Sequence, residues 1–524
     1  MNNSEIVTLT KNIAKDIVFI LSVAVLFLSL CFILITIWIE QYYWMRLCIE
    51  HILCVLDEPF DGAPQEIYVS FIKRITIAFF FVFLYILGYI YMKKHNYGKG
   101  IIKRILLFIY PFESIYIPVG AALIISVLFF CWRTEMILFI ARQINMASSN
   151  EIEKRYVRTR PEEYIFPEKK RNLIIIHLES IENLYQKPEV FGCNLIPELS
   201  KLQRDNISFY GNVQVLGSAW TQAFLTCLQY GMFRCFVYRP QDESSLNCLD
   251  SAYSLNEIFS KNGYTVSLIR GDFITFGGYD SVFRYVKNPR IIDRKVIEQN
   301  PDYWKFIKKN GNISSQRWSG WGVPDKLLYG IAKKELQTIS KMNKPFFFMI
   351  SLLDTHAPGY IYPDTPKYYH NIADAILETD RLVSKFVKWI QKQDFYSNTT
   401  VVLLCDHLAG NKLIRKFSRE LGEREKPFSI SDLKECRTAY NCFINLPFDL
   451  EKKQINRLFT SIDLAPSMLA SVGVKNPDLG FGISLFSNRE NFVERYGKNV
   501  FDKMYQTQFL YKKMMKKRNQ VKQE

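Results

Sequence analysis

Several common sequence features are absent from this chain. Its 524 residues contain no C-x-x-C motif, no internal repeat and no low-complexity tract. The first absence removes the usual signature of a paired-cysteine zinc or redox site, and the second argues against a repeat architecture. A chain of this length without repeats is expected to fold into more than one ordinary domain.

Cysteine itself is not scarce. Seven of the eleven cysteines lie after residue 150, and they are Cys193, Cys227, Cys235, Cys248, Cys405, Cys436 and Cys442. An oxidising exterior would permit them to pair, but spacing alone does not identify the partners. One expectation is a bridge from Cys227 or Cys235 to Cys248, and the alternative is reduced, buried thiols. Cys405 is expected in the core.

The charge of the chain is strongly positive, with a formal net charge of +16. Basic residues are spread along the sequence and also cluster beside apolar runs, which favours membrane topology and an anionic lipid surface over nucleic acid. We therefore expect no nucleic-acid partner. The basic run at 511–519 is predicted to be a solvated tail, with lipid headgroup binding as the alternative.

Three apolar runs near the amino terminus predict membrane-spanning helices, at Ile17 to Ile39, Ile75 to Met92 and Ile115 to Trp132. The first lacks a cleavage site of small residues and is predicted to be a retained anchor. The segment from Tyr42 to Leu56 carries charges and fits an interfacial helix, although a fourth span is the alternative.

Flanking charges predict the orientation of these spans. Residues 93–104 hold five basic side chains and no acid, which is typical of a cytoplasmic loop. Three spans then place everything after Trp132 outside. We expect a membrane domain at 1–133, a connector at 134–170, an extracytoplasmic catalytic domain at 171–500 and a basic tail at 501–524.

Two further apolar runs end in acidic residues and histidine, and they are Asn172 to Ser180 and Thr400 to His407. Each predicts a strand buried on both faces, with its polar residues at the carboxyl end, where α/β enzymes place their chemistry. Glu179, Asp406 and His407 supply two carboxylates and an imidazole. This set suits a divalent cation and predicts a metal site.

The segments around these strands alternate between strand-like and helical patterns. Strand-like segments run from Thr265 to Ile269 and from Pro345 to Leu352, whereas Leu255 to Asn262 and Asp374 to Lys392 are helical in pattern. The alternation predicts an α/β fold with a mainly parallel sheet between helices.

A Gly-Ser turn precedes a helix-forming stretch at 217–231. Ser218 or Thr221 could cap this helix. Thr221 also lies between the Glu-ended and Asp-His-ended strands, which is the order expected of a metal-activated hydroxyl nucleophile at a helix amino terminus that accepts phosphoryl oxygens.

Six short motifs in order give the chain a resemblance to a known family. They are LIIIHLESIENLY, GSAWTQAF, LNEIFSKNGYTVSLIRGDFITFGGYD, WGVPDKLL, SLLDTHAPG and VVLLCDHLAGN, with a weaker DLAPSMLASVGV near the end. Together they resemble the lipoteichoic acid synthase and phosphoglycerol transferase group of the alkaline phosphatase and sulfatase superfamily. The likeness is greatest to the periplasmic glucan phosphoglycerol transferases.

The resemblance implies roles for individual residues. Glu179, Thr221, Asp406 and His407 would bind one divalent ion, Mn²⁺ or Mg²⁺, with Zn²⁺ as a further candidate. Thr221 would be the catalytic nucleophile that forms a covalent intermediate. His356 would contact the transferred group and assist proton transfer, and Asp272 would lie near the glycerophosphate pocket.

The resemblance also implies the reaction, which is transfer of phosphoglycerol from phosphatidylglycerol in the bacterial cytoplasmic membrane to a surface or periplasmic glycan. Phosphoethanolamine transfer, hydrolysis, and an inactive accessory protein are the alternatives. Sulfatase chemistry is not expected, because no Cys or Ser is followed by x-Pro-x-Arg.

One departure from the family bears on the headgroup. Lipoteichoic acid synthases carry Trp-Asn-Arg-Asp where this chain has Gly277-Gly-Tyr-Asp280. The arginine that would grip phosphate is therefore missing, and Arg270 or Arg284 is the available replacement.

Overall fold

The structure is a computed structural model. It describes residues 3–42, 48–50, 52–53, 65–94, 116–145, 150–234, 252–311, 321–362, 371–421, 437–451 and 453–521. The chain divides into two compact units, one comprising 1–52 and 64–144 and the other comprising 53–63 and 145–524. Each unit is described separately.

The first unit consists of apolar helices, and their bounds are α1 (Asn3–Tyr42), α2 (Gln65–Lys94), α3 (Tyr116–Arg133) and α4 (Met136–Asn145). Leu26, Val82 and Val119 pack together where α1, α2 and α3 meet. The Trp38 indole also donates a 2.7 Å hydrogen bond to the Ser70 hydroxyl between α1 and α2.

Two of these helices are long and apolar enough to cross a membrane, over Ile17–Ile39 and Ile67–Gly88. The second stretch begins earlier than the sequence predicts, because α2 continues through Lys73 and Arg74. A third candidate is the pair Val119–Arg133 and Met136–Ile144, which bends by 65°. Most of the segment from Tyr42 to Leu56, the predicted interfacial helix, lies outside the described residues.

The second unit contains every strand that the structure describes. The strands are β1 (Asn172–Leu178), β2 (Ser208–Asn212), β3 (Thr265–Arg270), β4 (Arg290–Ile292), β5 (Phe346–Ser351), β6 (Thr399–Cys405), β7 (Asn441–Ile444) and β8 (Gln454–Phe459). The helices are α5 (Asn150–Arg155), α6 (Pro188–Phe191), α7 (Pro197–Asp205), α8 (Thr221–Tyr230), α9 (Leu255–Lys261), α10 (Arg294–Gln299), α11 (Pro301–Gly311), α12 (Asp325–Ile339), α13 (Asn371–Ile390), α14 (Asn411–Leu421), α15 (Leu464–Ser471), α16 (Phe492–Tyr496) and α17 (Val500–Val521).

The main sheet has six strands in the order β4-β3-β5-β1-β6-β7. All neighbours are parallel except β7, which runs antiparallel to β6 at the edge. Every residue of β1, β5 and β6 is buried, as expected for central strands covered on both faces. The predicted α/β class with a mainly parallel sheet is therefore confirmed.

Strand register places the two predicted metal-bearing ends side by side. β1 pairs with β6 from Asn172↔Thr399 to Leu178↔Cys405, and with β5 up to His177↔Ser351. Glu179 and Asp406 each follow the last paired residue of their strand. The carboxyl ends of β1, β5 and β6 thus form one edge.

The carboxyl terminus differs from the predicted basic tail. Residues Val500–Val521 form α17, and the first half of this helix packs into the second unit. Met504 and Tyr511 are fully buried, and the Tyr511 hydroxyl donates a 2.9 Å hydrogen bond to the Phe233 carbonyl oxygen. The expected tail was wrong for residues 501–511, because apolar and polar side chains alternate there at helical spacing before the basic run begins.

The cysteines match the reduced alternative where the structure describes them. Cys193, Cys227, Cys405 and Cys442 are free, and Cys405 lies buried in β6 as predicted. Cys235, Cys248 and Cys436 lie outside the described residues.

Candidate active site

Glu179, Asp406 and His407 converge at the carboxyl ends of β1 and β6. One ligand atom from each lies within 4.8 Å of the others. The His407 Nε2 atom is 3.4 Å from Glu179 Oε1 and 3.4 Å from Asp406 Oδ2. Both carboxylates are buried and His407 is partly exposed, and this donor set of two carboxylates and one imidazole suits a divalent cation.

The Asp406 carboxylate is fixed from one side and open on the other. Its Oδ1 atom accepts hydrogen bonds from the backbone N–H groups of Ser180 at 3.0 Å and His407 at 2.8 Å. Its Oδ2 atom is buried without a well-aligned hydrogen bond in the part of the chain that the structure describes, and the nitrogens facing it are His177 Nε2 at 3.3 Å and His407 Nε2 at 3.4 Å. A buried carboxylate oxygen without a donor is costly, and a bound cation would satisfy it. The residues therefore fit a metal ion.

Thr221 is the first residue of α8 and points its hydroxyl at this cluster. The Oγ1 atom donates to Glu179 Oε2 at 3.3 Å and lies 3.4 Å from His407 Nε2. Trp220 occupies the cap position of the helix without a side-chain cap, and the Ser218 hydroxyl donates instead to the Val215 carbonyl. The hydroxyl of Thr221 thus faces the candidate metal site at a helix amino terminus, where the dipole favours anions.

Burial and mutual charge perturb all three titrating groups. Burial, reinforced by the neighbouring Asp406 carboxylate, raises the pKa of Glu179 to about 7. Burial also opposes ionisation of Asp406, but the adjacent His407 and His177 outweigh it and lower the pKa of that carboxyl. Burial disfavours a charged His407, yet the two carboxylates raise its pKa above the usual value. The Asp406 carboxylate is thus favoured in its ionised form although it is buried, and a cation would compensate its charge.

His356 follows β5 in a loop that is attached to the end of β1. The Thr355 hydroxyl donates a 2.5 Å hydrogen bond to the Glu179 carbonyl oxygen, and the Trp321 ring lies 4.0 Å from the His356 ring. Burial lowers the pKa of His356 to about 4, so its imidazole is neutral at neutral pH. Its Nδ1 atom lies 3.1 Å from the Ala357 carbonyl oxygen, which can only accept. The Nδ1 atom therefore carries the proton, and Nε2 is an acceptor.

Asp272 is held by Arg270. The two side chains form a bidentate ion pair, and they are 6% and 3% exposed respectively. The Arg270 guanidinium also lies 5.1 Å from the Tyr279 ring centroid. The carboxylate that was expected to lie near the glycerophosphate pocket thus forms an ion pair with Arg270.

The Gly277-Gly278 segment is a tight turn against α8. Both glycines have positive φ angles, of 64° and 68°. The Gln222 amide donates to the Phe276 carbonyl at 3.2 Å, so this turn lies beside the residue that follows Thr221. Of the two candidate replacement arginines, Arg270 is buried and Arg284 is exposed.

Sequence reasoning did not single out His177, which lies within β1 and is 1% exposed. Its Nε2 atom is 3.3 Å from Asp406 Oδ2. The available signal was a histidine inside a fully apolar strand, two residues before a predicted ligand.

The structure brings the predicted residues Glu179, Thr221, Asp406 and His407 together. It places His356 in the adjoining loop and pairs Asp272 with Arg270. The roles of these residues remain predictions.

Comparison with known proteins gives one family match and several relatives. A family model described as Sulfatase matches residues 171–474, which is more than half of the chain. Phosphoglycerol transferase I from Xanthomonas campestris pv. campestris (strain B100) is 25% identical over 357 residues, covering 64% of this chain and 47% of its own length. Lipoteichoic acid synthase from Staphylococcus saprophyticus subsp. saprophyticus is 25% identical over 348 residues, covering 63% of this chain and 49% of its own length.

Among solved structures, the lipoteichoic acid synthase LtaP from Listeria monocytogenes is similar with a TM-score of 0.49 and 15% identity. That match covers 71% of this chain and 98% of the other. The chain spans about half the length of the curated relatives that it matches.

Proposed function

Because this chain belongs to the Sulfatase family, we propose that it is a metal-dependent transferase of phosphoryl-linked headgroups, anchored in the bacterial cytoplasmic membrane. The donor in this proposal is phosphatidylglycerol, the transferred group is phosphoglycerol, and the acceptor is a cell-surface or periplasmic glycan. The names of the relatives, phosphoglycerol transferase I and lipoteichoic acid synthase, support this class of reaction.

One observation carries the proposal. The Thr221 hydroxyl oxygen lies 3.3 Å from a Glu179 oxygen and 3.4 Å from His407 Nε2, within a cluster whose third member, Asp406, has a buried oxygen without a well-aligned hydrogen bond. A hydroxyl nucleophile beside a cation site is the arrangement that metal-assisted phosphoryl transfer requires.

Glu179, Thr221, Asp406 and His407 would hold the ion, and Mn²⁺ or Mg²⁺ is the proposed ion. When bound, it would supply charge neutralisation and lower the pKa of a coordinated hydroxyl.

The first chemical step is transfer to Thr221. Its Oγ1 atom forms a bond to phosphorus while the bond from phosphorus to the diacylglycerol oxygen breaks. Thr221 releases its proton along the hydrogen bond to Glu179, and the diacylglycerol oxygen takes up a proton from solvent, so the step is balanced. The amino terminus of α8 stabilises the phosphoryl oxygens, which makes catalysis mainly electrostatic.

The second step transfers the group to the acceptor. An acceptor hydroxyl forms a new bond to phosphorus, the bond to Thr221 Oγ1 breaks, and Glu179 returns the proton to the Thr221 oxygen along the same hydrogen bond. His356 is suited to receive the hydroxyl proton, because its neutral ring presents Nε2 as an acceptor. Water in place of the glycan would give the competing hydrolysis.

The apolar helices give this reaction a physical setting. Helices able to cross a membrane keep a catalytic domain near lipid and raise the effective concentration of the donor. The proposed arrangement is a membrane domain at 1–133, a connector at 134–170 and a catalytic domain from 171 onward, on the outer side of the membrane.

The experiment is headgroup release by the purified full chain in detergent with Mn²⁺. Phosphatidylglycerol and phosphatidylethanolamine, each separately labelled, are supplied as donors, and diacylglycerol and protein-bound label are followed by mass spectrometry. We expect label on Thr221 from phosphatidylglycerol and its loss, with at least a 100-fold slower release, in Thr221→Ala.

Two variants serve as controls. Thr221→Ser retains a hydroxyl and should keep part of the activity, whereas Thr338→Ala removes an exposed helical hydroxyl and should keep all of it. Release only from phosphatidylethanolamine would change the proposed headgroup. Release that continues unchanged in Thr221→Ala, or metal binding without release from either lipid, would contradict the proposal.

A further inference from the structure

We propose that His177 is a positioning residue that orients Asp406 for metal binding, and that Ser351 selects which ring nitrogen of His177 faces Asp406 as an N–H donor. The inference rests on the proposed function in one respect, since it takes Asp406 as a ligand of a divalent cation.

The His177 ring is held from three neighbouring elements. Its Nε2 atom faces Asp406 Oδ2 at 3.3 Å beyond the end of β6, and its Nδ1 atom is 2.6 Å from the Ser351 hydroxyl on β5. One face of the ring stacks on Phe224 of α8, with 5.5 Å between ring centroids and 14° between planes. Both ring nitrogens and one face of the ring are therefore in contact with neighbouring side chains, and these contacts restrict the orientation of the ring.

These contacts select one tautomer. If Nδ1 donated to Ser351, the lone pair of Nε2 would face a carboxylate oxygen, and the two would repel. If the Ser351 hydroxyl donates to Nδ1, the Nε2–H group points at Asp406 Oδ2, which can only accept. Of the two neutral tautomers, the second is the one that a carboxylate acceptor favours.

This arrangement accounts for both oxygens of Asp406. Two backbone N–H groups occupy Oδ1, whereas Oδ2 faces His177 Nε2 at 3.3 Å, His407 Nε2 at 3.4 Å and the proposed cation. Among the described residues, the Nε2 atom of His177 has no other hydrogen-bond partner. Contact from a second group fixes the direction of a metal ligand, and its loss typically lowers metal affinity by 10 to 100-fold.

Three substitutions separate orientation from packing. His177→Phe keeps a planar ring against Phe224 but removes the N–H group. His177→Gln can place an amide N–H close to the position of Nε2. Ser351→Ala removes the group that sets the tautomer, and Ser267→Ala is its matched control, because Ser267 is a buried serine on β3 that donates to Glu335.

The experiment measures Mn²⁺ affinity of the purified full chain by calorimetric titration, with near-ultraviolet circular dichroism to verify the fold. We expect a Kd about 10 to 100-fold weaker in His177→Phe, a smaller loss in Ser351→Ala, recovery toward wild type in His177→Gln, and no change in Ser267→Ala. A purely structural role would lower thermal stability in all His177 variants without recovery of affinity in His177→Gln.

Asp406→Asn distinguishes the two proposals. If Asp406→Asn weakens Mn²⁺ binding and folded His177→Phe binds as tightly as wild type, the positioning role is overturned while the metal site stands. If Asp406→Asn binds Mn²⁺ like wild type, the metal site itself is overturned and the positioning role falls with it. If His177→Phe does not fold, unchanged Mn²⁺ affinity in folded Ser351→Ala would overturn the role of this pair.

Discussion

Substitution of Asp272 should reveal whether this carboxylate contacts substrate or stabilises the fold. Arg270 is 3% exposed, and Asp272 supplies the partners of two of its three guanidinium nitrogens. The third nitrogen, Nη1, has no hydrogen-bond partner within the described residues. In Asp272→Asn the guanidinium would stay buried without a counter-charge, which typically costs about 3 to 5 kcal/mol. We expect a drop of roughly 5 °C or more in the apparent midpoint of thermal unfolding.

The double variant Arg270→Met with Asp272→Leu tests whether the instability of Asp272→Asn comes from the unpaired buried charge of Arg270. It removes both charges and fills a similar volume, so it should be more stable than Asp272→Asn alone. Unfolding of the detergent-solubilised chain and diacylglycerol release should be measured together. An unchanged unfolding midpoint in Asp272→Asn, accompanied by a raised KM for the lipid, would refute the structural interpretation and favour direct substrate contact.

Two further predictions concern the surroundings of the site. Gly277→Ala should destabilise the fold by about 1 to 3 kcal/mol in a denaturant titration, because the residue has φ of 64° and an added Cβ would lie 2.6 Å from the Gln222 side chain; an unchanged midpoint would show that the turn adapts. Burial raises the pKa of Asp463 from 3.8 to about 7. The folded state therefore holds this proton more tightly than the unfolded state. As pH rises from about 4 to about 7, the unfolding free energy of wild type should fall relative to that of Asp463→Asn, by up to about 4 kcal/mol. Above about pH 7 the difference should level off. A difference that is constant with pH would contradict the shift.

The central sheet and the grouping of the site residues could be predicted from sequence because both depend on simple physical rules. Apolar runs such as Asn172–Leu178 and Thr399–Cys405 are too short for membrane spans and fit strands buried on both faces. Parallel strands present their carboxyl ends at one edge, so Glu179 and Asp406 were expected near each other. The α/β domain of the alkaline phosphatase and sulfatase superfamily, predicted from the motifs, is confirmed by the family match.

Other features depend on tertiary contacts that a linear pattern does not contain. The antiparallel edge strand β7 and the separate β2–β8 pair arise from how distant segments meet. The pairing of Arg270 with Asp272 depends on side-chain direction, which the spacing of two residues leaves open. The packing of α17 could not be predicted from the sequence, because the basic residues at 512–518 dominate the composition of a segment whose first half is largely buried.

The uninterrupted pairing of β1 with β6 has a consequence for how the chain reaches one structure. Successive side chains along a strand point to opposite faces of the sheet. A slip of one residue between β1 and β6 would therefore place Glu179 and Asp406 on opposite faces. Only the correct alignment creates a complete cation site, and only that alignment would gain the free energy of binding. A cation held at this edge would therefore stabilise the correct alignment of β1 and β6 over the slipped one, in addition to the part proposed for it in the reaction.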